Sequence, residues 1–253
     1  MARVGFIGTG HIAAPMARAL ARDGHKVVVS ERNAAVATAL AAAGLGIKVA
    51  PNQDVIDGAE IVFLCLRPAA WQHVVAGLNW GQGRVIVSVM AGVSLANIAA
   101  TCAPSTKISA TIPYGFIEAG DCPLPVAGDP AALQELFGAK NLVLPQADER
   151  ALQHHFAASA LVSAVLGLMD VTSGWLGQKT GNADQAEIYV SNLIAGVLAG
   201  LDKSGAGRLA AEKAALASPN TLNLQMVEGL EGAGAFAGLP ALLDRISASM
   251  EPK

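Results

Sequence analysis

Apolar and polar positions follow two different periods along this chain, and the period changes near residue 146. Before that point, short apolar runs separate helical segments, and each run has the length of a strand buried on both faces. After it, only helical patterns remain. The sequence therefore predicts an α/β domain at 1–146 and an all-helical domain at 147–253.

The same pattern gives the individual elements. We predict strands at 4–7, 26–30, 47–49, 61–66, 84–89, 107–111, 125–126 and 142–143. Helices of the first domain are predicted at 12–23, 34–43, 54–57, 95–100 and 130–137, with Ser94 capping the helix at 95–100. Helices of the second domain are predicted at 148–169, 172–180, 183–201, 207–217, 221–231 and 239–250.

A glycine turn follows the first strand and opens the first helix. Gly8 allows a tight turn, Gly10 lets a pyrophosphate approach the backbone, and the small Ala13 allows close helix packing. The N–H groups of the helix start would face the phosphates. The predicted cofactor-binding residues here are Gly8, Thr9, Gly10, His11 and Ile12. We therefore predict a Rossmann-type dinucleotide-binding domain that uses NADP(H) or NAD(H).

Residues at the end of the second strand bear on which nicotinamide cofactor is used. Glu31 is placed to accept a hydrogen bond from a ribose 2′-hydroxyl, which favours NAD. Arg32, together with Ser30 and Asn33, is placed to hold a 2′-phosphate, which favours NADP. The two indications conflict, and the alternative for both charged residues is a solvated loop.

Composition narrows the classes of partner. The formal net charge is -3 without a long charged run, so nothing indicates nucleic acid or an anionic membrane surface. Although 53% of residues are hydrophobic, the charge-free stretch 156–169 is shorter than a bilayer needs. The three cysteines lack metal-ligand spacing, so we expect reduced thiols, no metal site and, with a strand starting at once, a cytoplasmic protein.

The second domain is rich in alanine and leucine and offers little polar outer surface. Such a domain buries its apolar faces by pairing with another copy. We therefore expect a homodimer or a higher homo-oligomer, with a small-molecule substrate and neither nucleic acid nor membrane as partner.

Several short segments, taken in order, resemble the pyrroline-5-carboxylate reductase family. The segments are GTGHIA at 8–13, LCLRP at 64–68, SVMAGVS at 88–94, Ile112-Pro113, Ala217-Ser218-Pro219 and Leu230-Glu231. They stand where that family has GxGxMA, AVKP, SxxAGVS, MPN and SPGGTT…LE. The resemblance covers almost the whole chain.

The resemblance implies a Rossmann domain, a helical dimerisation domain and NAD(P)H-dependent reduction of a cyclic imine, as in proline biosynthesis. It implies that the cofactor also contacts Leu66, Arg67, Pro68, Ala91 and Gly92. The substrate carboxylate would be held by Ser218, Asn220, Thr221, Leu222 and Asn223. With Ser218 as N-cap and Pro219 at the first helical position, N–H groups would face an anion; an ordinary Ser-Pro helix start is the alternative.

The chain departs from the family pattern mainly in the substrate half. The GGTT segment becomes NTLN at 220–223, and the SGSGP run of the long helix becomes SALVS at 159–163. The asparagine of MPN is Tyr114, and the lysine of AVKP is Arg67. These changes indicate a substrate that is bulkier or less polar than pyrroline-5-carboxylate.

Imine reduction needs a hydride donor against the C=N carbon and a proton for the nitrogen. Tyr114 is a candidate proton donor, with a packing role as the alternative. Asp170, predicted at the end of the long helix, is a candidate to stabilise an iminium, with a solvated charge as the alternative. Cys65, inside a predicted strand, is interpreted as a core residue rather than a nucleophile.

The main hypothesis is an NAD(P)H-dependent oxidoreductase that reduces a cyclic imine such as pyrroline-5-carboxylate, or a related small substrate. Within enzymes, the alternative is a β-hydroxyacid dehydrogenase-like or deazaflavin-dependent NADP oxidoreductase. Outside enzymes, it is a non-catalytic dinucleotide-binding regulator. The sequence leaves the substrate and the choice between NADPH and NADH open.

Overall fold

An eight-stranded sheet forms the centre of the N-terminal part in this computed structural model, which describes residues 1–250. The strands are β1 (Arg3–Ile7), β2 (Lys26–Ser30), β3 (Lys48–Ala50), β4 (Ile61–Leu64), β5 (Val85–Ser88), β6 (Lys107–Thr111), β7 (Pro123–Gly128) and β8 (Leu142–Pro145). Their order is β3-β2-β1-β4-β5-β6-β7-β8. Strands β1 to β6 are parallel, β7 is antiparallel to β6, and β8 is parallel to β7.

Six helices and one helical turn accompany the sheet. They are α1 (Ala13–Arg22), α2 (Ala34–Ala42), α3 (Asn52–Gly58), α4 (Trp71–Val75), α5 (Leu95–Thr101), a 3-10 turn (Gly115–Glu118) and α6 (Ala131–Phe137). One apolar core joins the sheet to α1, α2 and α6, and a second joins it to α3, α4 and α5. Because both faces are covered, central strands such as β4 are wholly buried and wholly apolar.

The strand order reverses its direction of growth between β1 and β4. Such a switch point leaves a crevice beyond the carboxyl ends of the two strands, where α/β proteins bind ligands. Phe6 of β1 and Phe63 of β4 stack with their ring centroids 5.0 Å apart, which ties the two strands together beneath the crevice. The predicted fold class is confirmed.

Six helices follow the sheet, and no strand occurs between residue 148 and residue 250. They are α7 (Glu149–Ser159), α8 (Leu161–Thr180), α9 (Ala183–Gly200), α10 (Arg208–Leu216), α11 (Leu222–Gly232) and α12 (Leu239–Ala248). Residues 157–246 form one compact unit, and residues 1–156 form another with the segment from Ser247 onward. The predicted domain boundary at 146 stays a prediction.

Two details of the predicted helices were wrong. The helices predicted at 148–169 and 172–180 are divided instead at Ala160, between α7 and α8. Asp170 therefore lies in the middle of α8 rather than at a helix end. The residues around 170 contain no proline, and a glycine within a helix lowers its stability without ending it. The sequence pattern also missed α4 and the 3-10 turn.

The second unit exposes much apolar surface when considered alone. Val171 and Trp175 of α8 are 73% and 59% exposed, and Ile188 of α9 is 62% exposed. The run Glu149–Thr180 is long and apolar enough to cross a membrane by length and composition. The carboxylate of Asp170 lies within that run, and a charge at such a depth is costly in lipid.

Candidate functional site

The turn after β1 is fixed by the backbone of the strand beside it. Gly8 has a φ of +93°, and a Cβ atom there would lie 2.3 Å from the carbonyl oxygen of Cys65. Only glycine fits both conditions. The turn after β1 is thereby held against the end of β4, at the switch point.

Gly10 differs from Gly8, because no contact and no backbone angle within the protein requires a glycine at this position. It does not have a positive φ, and a Cβ atom there would meet no atom within 4 Å. Gly10 directly precedes His11 and lies three residues before Ala13, the first residue of α1. A glycine that leaves its backbone open at a helix start fits a phosphate group that approaches the N–H groups.

A buried hydrogen-bond network supports this turn from below. The Gly8 N–H donates to Ser30 Oγ at 2.9 Å, and Thr9 Oγ1 donates to the Ser30 carbonyl at 2.6 Å. Ser30 is fully buried and Thr9 nearly so. Both hydroxyls therefore position the turn, and the Ser30 hydroxyl is buried and engaged by the Gly8 N–H. Direct contact of Ser30 with a 2′-phosphate has no support in this geometry.

The other residues predicted to contact the cofactor lie near the same crevice. Glu31 and Arg32 are exposed directly after β2, and His11 is exposed in the glycine turn. Beyond β4, Leu66 is buried, and its side chain contacts the position where a Gly8 Cβ would lie. Arg67 and Pro68 follow it and are exposed. Ile12 is half-buried and directly precedes α1 without a side-chain capping hydrogen bond. The structure thus brings the ends of β1, β2 and β4 together.

Cys65 behaves as a core thiol. Burial raises its pKa far above the ordinary value, because a thiolate would lose its solvation there. The neutral thiol is the form present near neutral pH, in agreement with the prediction of a core residue.

The turn after β5 carries the next predicted cofactor contacts. Ala91 is half-buried, and Gly92 has a φ of +71°. A Cβ atom on Gly92 would lie 3.3 Å from the carbonyl oxygen of Met250, so the chain end packs directly on this turn. Ser94 Oγ accepts the Asn97 N–H at 3.2 Å, which confirms the predicted cap of α5.

Tyr114 follows β6 and packs against two apolar clusters. The residue is half-buried and stacks on Phe116 with ring centroids 5.8 Å apart. The 3-10 turn that follows is clamped to α1, because Arg18 donates to both carboxylate oxygens of Glu118 at 2.9 and 3.0 Å. Arg22 also pairs with Glu118. The proton-donor role of Tyr114 and the iminium role of Asp170 stay predictions.

A cavity of about 370 Å³ lies within the first unit, beside the turn at Gly92. Met90, Phe156 and Met250 contribute apolar walls, and Glu149 and Arg150 contribute charge. The sequence interpretation missed Arg150, Phe156 and Met250. Met250 is far from the other residues along the chain, so no local motif could have indicated its contact.

The predicted substrate loop at 218–223 is built differently from the expectation. Ser218 is not the N-cap of α11; Thr221 is, and its Oγ1 accepts the Leu224 N–H at 3.2 Å. Asn220 has a φ of +65°, which turns the chain before the helix begins. The Thr221 N–H is directed to the Ser218 carbonyl at 3.2 Å and does not face an anion.

The side chains of this loop are also partly committed. Asn223 Nδ2 donates to the Leu216 carbonyl at 3.3 Å, and Thr221 Oγ1 donates to the Ser218 carbonyl at 2.7 Å. Leu222 is 82% exposed. The N–H groups of Leu222 and Asn223 stand in the first turn of α11, where no intrahelical acceptor is available. A substrate-binding role of the loop stays a prediction.

Comparison with known proteins finds relatives that match both the sheet-containing part and the helical part of the chain. A family model described as NADP oxidoreductase, coenzyme F420-dependent, matches residues 3–92. A pyrroline-5-carboxylate reductase from Synechocystis sp. is 29% identical over 219 residues, which covers 82% of this chain and 74% of the relative. The cofactor half and the helical half are therefore both similar to one reductase.

Solved structures show the same fold along the whole chain. A 1-pyrroline-5-carboxylate reductase from Streptococcus pyogenes has a TM-score of 0.81 at 20% identity, covering 99% of this chain and 98% of that chain. A pyrroline carboxylate reductase from Plasmodium falciparum, solved with NADP bound, has a TM-score of 0.80 at 13% identity, covering 99% and 97%. The resemblance predicted from the motifs is confirmed: the chain is similar to pyrroline-5-carboxylate reductases in sequence over 82% of its length and in fold over 99% of it.

Proposed function

We propose that this protein is an oxidoreductase that uses NADPH or NADH to reduce the C=N bond of a small cyclic imine such as pyrroline-5-carboxylate. The observation that carries the proposal is the similarity to one such reductase across 82% of the chain, in both the sheet and the helices. The open Gly10 turn at the switch point supplies the dinucleotide site that this chemistry needs.

Each part of the crevice has a task in this reaction. The N–H groups at the start of α1 and the open backbone of Gly10 would hold the pyrophosphate. The bound nicotinamide supplies the hydride. Arg67 and the turn at Ala91 and Gly92 would orient the ring, and Tyr114 would pass a proton to the imine nitrogen. The buried Thr9 and Ser30 hydroxyls keep the turn in shape before the cofactor arrives.

The decisive experiment is the initial rate of NADPH and NADH oxidation with pyrroline-5-carboxylate and a panel of other cyclic imines. Turnover of any imine supports the proposal. A preference for NADPH assigns the exposed Arg32 to the 2′-phosphate, and a preference for NADH assigns Glu31 to the 2′-hydroxyl. Tight cofactor binding without turnover of any imine contradicts the proposal and favours the regulator.

A second candidate function has one specific observation in its favour. The family model that matches residues 3–92 is described as coenzyme F420-dependent. Because this match is confined to the cofactor half, it supports the nicotinamide site more directly than a deazaflavin site. Hydride transfer between reduced F420 and NADP⁺, followed by deazaflavin absorbance, tests this alternative directly.

The assembly and location proposed with this function follow from the surface and the thiols. The apolar faces of α8 and α9 favour a homodimer or a higher homo-oligomer. Free cysteines at positions 65, 102 and 122 favour a reducing, cytoplasmic location. Pyrroline-5-carboxylate as substrate would place the reaction in proline biosynthesis.

A further inference from the structure

The cavity beside Gly92 is large enough for a small metabolite and lies where this fold binds ligands. Its volume is about 370 Å³, and all of its walls belong to the first unit. Met90 and Gly92 stand just beyond the carboxyl end of β5, and Ala110 stands near that of β6. Ligand pockets of proteins start at roughly 300 Å³. The cavity therefore adjoins the turn predicted to contact the nicotinamide.

Two carboxylates near the cavity are already committed to backbone donors. Glu149 Oε1 accepts the Leu95 N–H at 2.6 Å, at the start of α5. Asp148 Oδ1 accepts the Ala151 N–H at 2.8 Å, at the start of α7. Each carboxylate thus accepts a hydrogen bond from an N–H group in the first turn of a helix, where no intrahelical acceptor is available.

Arg150 is exposed, lines the cavity beside Glu149 and is the positively charged residue of its lining. Across residues 1–250, no carboxylate lies within ion-pair distance of its guanidinium. A guanidinium binds a carboxylate through two parallel N–H donors, a geometry that neither a lysine nor a backbone N–H provides. The cavity therefore offers an anion site beside apolar walls.

Contacts of Ser247 and Met250 hold the apolar walls of the cavity in place. Gln153 Nε2 donates to the Ser247 carbonyl at 2.6 Å, and His154 Nδ1 lies 3.0 Å from Ser247 Oγ. These contacts keep Met250 against the Gly92 turn. Met250, Met90 and Phe156 then face the same space as Arg150.

We propose that Arg150 binds the carboxylate of the substrate in this cavity, while Met90, Phe156 and Met250 pack against its apolar body. The inference rests on the proposed function, and it moves the anion contact away from the loop at 218–223. In that loop the side chains of Thr221 and Asn223 are already hydrogen-bonded, so the groups left for an anion there are the N–H groups of Leu222 and Asn223. The apolar walls suit the bulkier or less polar substrate that the sequence indicates.

The test compares two imines that share a ring and differ in the carboxylate: pyrroline-5-carboxylate and 1-pyrroline. Arg150→Met should raise the KM for the carboxylate imine about tenfold or more and leave that for 1-pyrroline within about twofold. Arg150→Lys should restore part of the affinity because it keeps the charge. Lys107→Met, which removes a charge at the amino end of β6, is the matched control and should change neither KM.

Equal changes for both imines, or none for either, would overturn the inference. If the wild type reduces neither of these two imines, a second measurement keeps the inference testable, and the full panel of cyclic imines decides the proposed function separately. Calorimetric titration of the NADP⁺-loaded protein with pyrrolidine-2-carboxylate and with pyrrolidine then decides. Binding of the carboxylate alone, lost in Arg150→Met, supports the anion site. Equal binding by wild type and variant, or none by the wild type, removes it.

Discussion

Gly8 and Gly10 are two residues apart, yet only Gly8 is required by the protein's own packing. Its φ of +93° and the Cys65 carbonyl that a Cβ would strike exclude any side chain. Gly10 meets neither condition. A small residue that the fold does not need is explained by something that approaches from outside, and the two positions can be separated by experiment.

We predict that the Gly10→Ala variant is as stable as the wild type but binds the cofactor more weakly. Its free energy of unfolding should change by less than about 0.5 kcal/mol, as for a substitution without strain or new contacts. The Kd for NADPH should rise about tenfold or more, because a methyl group occupies the approach to the N–H groups. Denaturant unfolding and NADPH fluorescence titration measure the two quantities.

The matched control for that prediction is Gly8→Ala. Strained backbone and overlap with Cys65 should lower its stability by about 2 kcal/mol or more. A Gly10→Ala variant that binds NADPH like the wild type would contradict the assignment of Gly10.

At the scale of elements, α1 connects the two sides of the candidate site. Its first turn faces the predicted phosphate position, and its middle carries Arg18, which donates to both oxygens of Glu118. Glu118 ends the 3-10 turn that follows Tyr114. The helix therefore sets the distance between the glycine turn and the tyrosine.

This clamp predicts a pH dependence of stability. The Arg18 guanidinium holds the pKa of the Glu118 carboxyl below its ordinary value of 4.5, mainly through hydrogen bonding. A pKa lower in the folded than in the unfolded state stabilises the fold above about pH 4.5, and this contribution is lost as the pH falls through the folded value. Glu118→Gln should therefore flatten the loss of unfolding free energy below about pH 5.

Denaturant unfolding at a series of pH values measures this slope. Glu60→Gln is the control, because the Arg3–Glu60 pair is more than half exposed on both sides and contributes little. An unchanged acid slope in Glu118→Gln would show that the clamp does not stabilise the folded state.

The cap of α11 gives a second prediction at this scale. Thr221→Ala removes the acceptor of the Leu224 N–H and should destabilise the protein by about 1 kcal/mol. Ser218→Ala should have almost no effect, because only the backbone of Ser218 takes part in this turn. Thermal unfolding of the two variants compares the positions, and the reverse order would restore Ser218 as the cap.

The elements differ in how far the sequence could predict them. β1 and β4 were predictable because an apolar run flanked by a glycine turn is a local signal. Ser218 and Thr221 lie four positions and one position before α11, and both are good cap residues. The left-handed Asn220 between them decides for Thr221. Local preference alone could not make that choice. The walls of the cavity come from distant parts of the chain, which no motif connects.

At the scale of the whole molecule, the main surface feature is the exposed apolar area of α8 and α9. Val171, Trp175 and Ile188 are each more than half exposed, well beyond what single scattered apolar residues explain. Since Asp170 in the same helix disfavours lipid, protein is the better cover for this surface.

We predict that the wild type is at least a dimer and that a Val171→Glu, Trp175→Glu double variant is monomeric. Two buried carboxylates without partners would cost several kcal/mol at an interface, enough to separate the copies at micromolar concentration. Light scattering after size exclusion should give a mass of 25.6 kDa for the variant. Ser163→Glu, an exposed polar position of α8, is the control and should leave the mass unchanged. A double variant that remains a dimer would assign the interface elsewhere.

The return of Ser247 to the first unit has a consequence for the order in which the protein is made. A ribosome synthesises the whole helical unit, residues 157–246, before it adds the segment that braces Gln153 and His154. The cavity beside Gly92 thus acquires the wall that Met250 contributes only after the whole helical unit has been synthesised. A nascent chain stopped before Met250 would carry a complete glycine turn beside an unfinished cavity, so dinucleotide binding is expected to precede selectivity for the second reactant.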